Sequence, residues 1–527
     1  MKKKLLTGAF LLSMSNIICK VLGIVYLIPW LIFMGNTRDQ QTAQALYNVA
    51  YLPYALFLSL GTAGFPSGIA KKIAELNAKG NTDRIRELFQ SGLAVMEMIG
   101  ILSALLMFIF APVLSSISPI VNHAAGTTAI RSLCFSLLII PMLSAIRGYF
   151  QGLSLSVPFG ISQVIEQLVR VIVILIGTYL VRVHFNGSIL SAVVLSTFAS
   201  SVGGIFAIAY LLWAGKKKDM FRLKYFTFSP IKSLKKSKKL AVDIIKESLP
   251  FVYVGSAISI LQLIDQVSLR PLFSLLFPQI SLAELQTLYT LASTNPNKLA
   301  PILLAIISSI TISSLPLLSM IKAKFDLLTS VSDILRLTIT FLVPSTIGMV
   351  LLCVPLNTLF FGFDFAGSMY LAVTIISTSF LGIFTVLLAV LQALSFHKKA
   401  IHFTSQILLL KLLLQIPCIY LFKGFGLAIA TTLSTVFATI IAYRFIVKQL
   451  DIHPINYNRN YYLKLFQSTL VMILISVLAF NLLSDTINFE DRFQSIILIT
   501  VIGCVGALTF IAMLFGKKLR TKIRALH

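Results

Sequence analysis

The sequence predicts an all-α polytopic membrane protein with fourteen transmembrane helices. Apolar stretches recur along all 527 residues, and hydrophobic residues make up 57% of the chain against 12% charged, where soluble domains carry about 25% charged. The lysines and arginines between these stretches fall almost wholly into every second gap. A run of about 20 apolar residues crosses a bilayer as a helix, and an excess of basic residues marks the cytoplasmic loops.

Spans are expected at 6–34, 46–70, 88–114, 128–153, 159–181, 188–213, 248–275, 298–320, 333–358, 367–393, 401–422, 424–447, 462–483 and 492–515. Of the 44 basic residues, 34 then lie on one side, while Arg38, Arg131, Arg182, Arg270, Lys298, Lys423 and Arg492 lie on the other. Lys20, Arg170 and Lys411 fall inside spans. An even number of spans with this bias predicts a multi-pass protein of the cell membrane with both termini in the cytoplasm. Topology and the anionic inner leaflet account for the net charge of +26, so no nucleic-acid partner is expected. Membrane lipids are the expected surroundings and the monomer the expected state.

Span 1 follows Lys2, Lys3 and Lys4 and has no small-residue cleavage site before Trp30, so it is expected to be retained rather than removed as a signal peptide. Span 2 carries Pro53, then Phe65-Pro66 and Lys71-Lys72; span 8 carries Pro301, then Leu315-Pro316, Lys322 and Lys324. Proline-interrupted helices at matching places in two halves are expected of transporters built from repeats. The long polar segment 214–247, with lysines at 216–218, 235, 236, 238 and 239, divides the first twelve spans into six and six. The expected organisation is an N-lobe over 1–213, a basic cytoplasmic linker over 214–247 and a C-lobe over 248–447. A C-terminal pair of helices with a basic tail follows over 448–527. The five cysteines stand singly in apolar segments, which predicts neither disulfides nor a zinc site.

Charged groups in the membrane are costly, by about 2.5–3.5 kcal/mol at a helix centre, and usually face a bundle interior or water. Ser13, Asn16 and Lys20 share a face of span 1, and Gln163, Glu166, Gln167 and Arg170 share a face of span 5. Ser259, Gln262, Asp265 and Gln266 do so in span 7, and His402, Ser405 and Gln406, with Lys411 and Gln415 less regularly placed, in span 11. Glu166 and Arg170 read equally as an i, i+4 structural clamp. Lys20 could line a cavity or snorkel to the inner surface. Asp265 could be a protonated helix contact or an ion-coupling carboxylate, and Lys411 reads as a packing residue. No phosphate-binding loop, HExxH or GxSxG motif is present, so no enzymatic activity and no cofactor are expected. Coupling to sodium ions or protons stays open.

The run Arg147-Gly148-Tyr149-Phe150-Gln151-Gly152 after Pro141, followed by Pro158, Ser162-Gln163, Glu166-Gln167 and Arg170, resembles one family. This is the stage V sporulation protein B and polysaccharide-export branch of the multidrug/oligosaccharidyl-lipid/polysaccharide exporter superfamily, which includes the Gram-positive lipid II flippases. Tyr47-Asn48, Tyr54, Gly64-Phe65-Pro66, Pro250 and Leu391-Gln392-Ala393-Leu394 extend the likeness over essentially the whole chain. The resemblance implies two six-helix lobes around a central cavity. It also implies alternating access that moves an undecaprenyl-diphosphate-linked sugar, lipid II or a polysaccharide repeat unit, from the inner to the outer leaflet. Cys19-Lys20-Val21-Leu22-Gly23 is similar to the Ser-Arg-Val-Leu-Gly run of Gram-negative lipid II flippases, which places Lys20 at the family's cavity arginine. Tyr26 stands where a second arginine would, and the arginine after the span 2 proline is missing after Pro53. Lys20, Arg147 and Arg170 therefore remain as expected phosphate partners, with Asn16, Gln163 and Glu166 beside them. A cation-coupled multidrug or metabolite antiporter with Asp265 as its coupling group, and a scaffold that recruits cell-wall enzymes, are the competing expectations.

Overall fold

The structure is a computed structural model. It describes all residues except 1, 63, 218–247, 306, 309–310, 312–317, 319–320, 322, 451–458, 485–487, 489 and 525–527. Most of the basic linker, with its expected amphipathic helix, lies outside the described residues, as do Leu315-Pro316, Lys322 and the last residues of the tail. Among the described residues every regular element is helical.

Among the described residues ten helices are long and apolar enough to cross a membrane, and eleven if the bent pair Ser248–Gly255 and Ala257–Leu276 is one span. The segment His397–Gln449 holds two expected spans in one continuous run, broken by a short helical turn at Lys423–Phe425. The expected second span forms the helix Thr37–Thr62. Its N-terminal half carries Arg38, Asp39, Gln40, Gln41, Gln44 and Asn48, and that polarity sets it apart from the ten. The expected eighth span is only partly described. Fourteen spans thus remains the sequence-based expectation. Large apolar side chains such as Leu102, Ile109, Leu275, Leu413, Leu482 and Phe493 are exposed, as suits helices whose solvent is lipid and not water.

Contacts divide the chain into two compact units, 1–290 and 291–527. The first holds α1 (Lys2–Val25), α2 (Leu27–Met34), α3 (Thr37–Thr62), α4 (Phe65–Ala78), α5 (Thr82–Ile117) and α6 (His123–Gly152). It continues with α7 (Ser156–Thr178), α8 (Ile189–Lys216), α9 (Ala257–Leu276) and α10 (Leu282–Tyr289). The long pairs are α5 on α6, α7 on α8, α6 on α8, α3 on α6 and α1 on α7. Side chains close the helix starts: Asn81 accepts from Arg84 N (3.2 Å), Asn122 from Ala125 N (2.9 Å) and Ser188 from Ser191 N (3.1 Å). Phe65, Ile69, Ile73, Leu88, Phe89, Leu143, Ile146 and Phe150 form a shared core.

The glycines of the Arg147–Gly152 run have a definite purpose. A Cβ at Gly148 would stand 2.8 Å from Pro66 O, and one at Gly152 2.8 Å from Ala70 O. Only glycine lets α6 approach α4 this closely.

Helix α9 packs on α3 and α5. Gln266 is the reason. Fully buried, it donates to Val49 O (3.2 Å) and Ser118 Oγ (2.9 Å), and accepts from the Tyr289 hydroxyl (3.4 Å). Tyr289 in turn accepts from Asn48 Nδ2 at 2.7 Å. Leaving these groups unpaired in an apolar interior would cost about 1–3 kcal/mol each, so the network fixes α9 against α3.

The second unit contains α11 (Lys324–Leu351), α12 (Cys353–Phe361), α13 (Phe365–Ala393), α14 (His397–Phe422), α15 (Gly426–Leu450), α16 (Arg459–Ser484) and α17 (Arg492–Arg524). Here α14 pairs with α15, α13 with α15, and α16 with α17. Lys411 is wholly buried and donates to Leu427 O (2.7 Å) and Thr431 Oγ1 (2.6 Å). It pins α14 to α15, the packing part expected of it. The terminal pair closes over Leu465, Met472, Phe510 and Leu514.

Candidate substrate-binding site

The polar face of α7 forms one wall of the candidate site. Glu166 lies at its centre, with one oxygen 2.9 Å from Arg147 Nη2 and the other 2.9 Å from Arg170 Nη2. Arg170 reaches it from one turn further along α7, and Arg147 from the C-terminal end of α6. Arg147 Nε donates to Ser162 Oγ (2.9 Å), whose hydroxyl donates to Phe159 O (2.6 Å). Arg147 and Glu166 are both buried, 8% and 9% exposed, whereas the Arg170 side chain keeps 21% of its surface. The clamp reading of Glu166 and Arg170 is therefore realised, and it takes in Arg147 as well. Close packing of α8 makes it rigid, since a Cβ at Gly203 would stand 2.5 Å from Glu166 O.

The triad is under-compensated. Two guanidinium groups share one carboxylate, leaving one net positive charge. The Arg147 Nη2–Glu166 contact lies off the hydrogen-bond direction, and Arg147 Nη2, Arg170 Nε and Gln163 Oε1 are buried with no hydrogen-bond partner among the described residues. Buried groups of this kind are costly unless something pairs with them.

Helix α1 brings a third cation alongside. The Cys19 thiol donates to Gln163 O at 3.4 Å, and Cys19 lies within electrostatic reach of Glu166, Arg147, Arg170 and Lys20. Further along, Gly23 faces the Gln167 amide. At about 100° per residue, Asn16 and Lys20 then lie between the α7-facing side and the exposed apolar side formed by Ile17 and Val21. Asn16 is half-buried and Lys20 exposed, and Lys20 has no ion pair or hydrogen bond among the described residues. The structure thus gathers Asn16, Lys20, Arg147, Gln163, Glu166 and Arg170 into one region. Asp265 is buried in α9, which packs mainly on α3 and α5.

Sequence reasoning missed the aromatic wall beside Arg170. Tyr47 and Tyr51 stack at 5.9 Å and 17°, and Tyr51 and Tyr54 lie 5.8 Å apart. Trp30 packs edge-on to Tyr47 at 5.7 Å, and its indole donates to Ser196 Oγ at 3.0 Å. Tyr26, at the break between α1 and α2, shares a hydrogen bond with Tyr47. Tyr54, Tyr51 and Tyr47 all lie within electrostatic reach of Arg170. The i, i+4, i+7 spacing of these three tyrosines was the available signal.

A polysaccharide biosynthesis protein family matches residues 5–321. The chain is 28% identical to "Lipid II flippase MurJ" of Bacillus subtilis (strain 168), over 97% of its own length and 95% of that protein's. It is 25% identical to "Stage V sporulation protein B" of the same organism over 47% of its length and 46% of that protein's. Among solved structures, "Lipid II flippase MurJ, inward closed conformation" superposes with a TM-score of 0.65 at 16% identity, covering 97% of this chain and 100% of that one. An inward-facing multidrug resistance MATE family transporter of the MOP superfamily gives 0.58 at 12% identity, over 83% of this chain and 95% of that one. The fold is that of MurJ and the MATE transporters. The match of the family model over more than half of the chain makes this multi-pass membrane protein a member of the polysaccharide biosynthesis protein family.

Proposed function

We propose that the chain is a flippase that carries an undecaprenyl-diphosphate-linked cell-wall precursor, with lipid II as the first choice, from the inner to the outer leaflet of the cell membrane. The observation that carries this reading is the cationic region of the first unit: exposed Lys20 beside two arginines that share one carboxylate. Its net charge of two suits a diphosphate. Arginine presents a planar fork to phosphate oxygens, whereas lysine acts as a movable point charge. A diphosphate entering from the cytoplasmic side meets Lys20 first and then competes with Glu166 for Arg147 and Arg170. Glu166 is the internal stand-in for the substrate anion, which keeps the arginines ordered in the empty protein. The prenyl tail stays among the lipids.

In this reading six-helix lobes over 1–213 and 248–447 alternate in access, both termini are cytoplasmic, and the chain works as a monomer without enzymatic chemistry. The decisive experiment expresses the chain in a strain from which every other lipid II flippase has been removed, and measures the lipid II accessible on the outer leaflet. Restored exposure, reduced by Lys20→Gln and kept by Lys20→Arg, is the expected result. Failure of the wild-type chain to restore exposure would refute the proposal.

The MATE likeness and the buried carboxylate of Asp265 favour a second reading, sodium- or proton-coupled antiport of a small cation. Efflux that depends on the ion gradient and is lost in Asp265→Asn would select it.

A further inference from the structure

We infer that the tyrosine ladder on α3 is a carbohydrate subsite that holds the sugar portion of the cargo, with the neighbouring arginines holding its charged end. This rests on the flippase reading and adds a ligand surface to it.

The rings of Tyr47, Tyr51 and Tyr54 climb α3 as a continuous wall, continued by Trp30. The wall is not a closed core. Tyr51 is 37% exposed, and its hydroxyl makes no hydrogen bond to any described residue. The Tyr54 hydroxyl is buried without a partner among the described residues, as are Arg170 Nε and Gln163 Oε1. An aromatic face open at Tyr51, two unused hydroxyls, that of Tyr54 buried, and a guanidinium donor therefore occupy one neighbourhood.

Hydrocarbon does not suit that set, because a guanidinium with an unpartnered nitrogen is costly against lipid tails. A bare phosphate would use the cations and leave the rings idle. A pyranose ring has a C–H face that packs flat on an aromatic side chain, and a rim of hydroxyls that both donate and accept. It is the chemistry that uses all the groups together. Depth agrees. Gln163, level with Cys19 and so with Lys20, lies about 10 Å from the start of α7 and Arg170 about 21 Å, at about 1.5 Å per residue. The cations thus begin nearer the inner end, and the tyrosines beside Arg170 lie further in. A head group entering sugar-first would lay a ring on exposed Tyr51, with buried Tyr54 backing it and its diphosphate below.

The test uses purified full-length protein in lipid nanodiscs, titrated with undecaprenyl diphosphate and with the same lipid carrying a disaccharide. Wild-type protein is expected to bind the sugar-bearing lipid at least tenfold more tightly. Tyr51→Phe, which removes only an unpartnered hydroxyl, should weaken that binding about fivefold, as for one hydrogen bond. Tyr51→Leu should abolish the preference while binding of the bare diphosphate lipid persists. Thermal unfolding checks that both variants are folded; Tyr51→Phe keeps the ring and so preserves the test if Tyr51→Leu unfolds. Equal affinity of the wild type for both lipids, or equal weakening toward both in the variants, would overturn the subsite and leave the flippase reading standing. Binding of neither lipid by the wild type would overturn both.

Discussion

Replacing Glu166 by glutamine tests the ionic triad directly. The change keeps the shape of the side chain and removes the one negative charge between two guanidiniums, each 2.9 Å from one of its oxygens. With charge centres about 4 Å apart and an effective dielectric constant near 20, each attraction is on the order of 4 kcal/mol. The Arg170 side chain is 21% exposed, so its share is screened, whereas Arg147 keeps nearly its full share. Removing one partner of a buried pair strands the other, at about 3–5 kcal/mol. Glu166→Gln should therefore destabilise the folded protein by about that amount. Thermal unfolding in detergent and in nanodiscs reads the loss. The double variant Glu166→Gln/Arg170→Gln removes the surplus cation as well and should recover part of it. Wild-type stability in the single variant would refute the closed triad. The two arginines would then be standing open, and the proposed competition between Glu166 and the diphosphate would fall with it.

Gly203→Ala should destabilise by about 1–3 kcal/mol in the same assay, because its Cβ would stand 2.5 Å from Glu166 O and push α8 off α7. Lys411→Met should unfold within about 1.5 kcal/mol of wild type, since it keeps the volume of a wholly buried side chain, whereas Lys411→Ala should cost about 2–5 kcal/mol for the cavity. A folded Lys411→Met that has lost transport would show that the lysine does more than pin α14 to α15. Gln266→Leu removes the partner of Val49 O, Ser118 Oγ and Tyr289 Oη. It should lower stability by about 1–3 kcal/mol and speed amide hydrogen exchange over α10; unchanged exchange there would contradict the network's role in holding α9.

Legibility in the sequence followed the range of the forces involved. The helical class and membrane placement could be read because transfer to lipid is a sum over consecutive residues, and hydropathy with basic loops reports that sum directly. The stripe Gln163, Glu166, Gln167 and Arg170 could be read because helical spacing is local. The partnership of Arg147 with Glu166 and Ser162 could not, because it depends on how the end of α6 meets α7. Gly148 and Gly203 read equally as ordinary packing residues until Pro66 O and Glu166 O were found against them. The tyrosines of α3 could be placed on one face by spacing, but nothing local says that this face meets Arg170.

The sequence by itself determined the helices, their apolar belts and the set of intramembrane charges, since each is a property of neighbours along the chain. Only the tertiary structure decided which charges neutralise one another and that α9 packs with the first unit. It also decided that Lys20 stays exposed while Arg147 is shut into a triad. Those outcomes depend on distances across helix interfaces, where an ångström separates an ion pair from an open cation, and linear spacing carries no such measure.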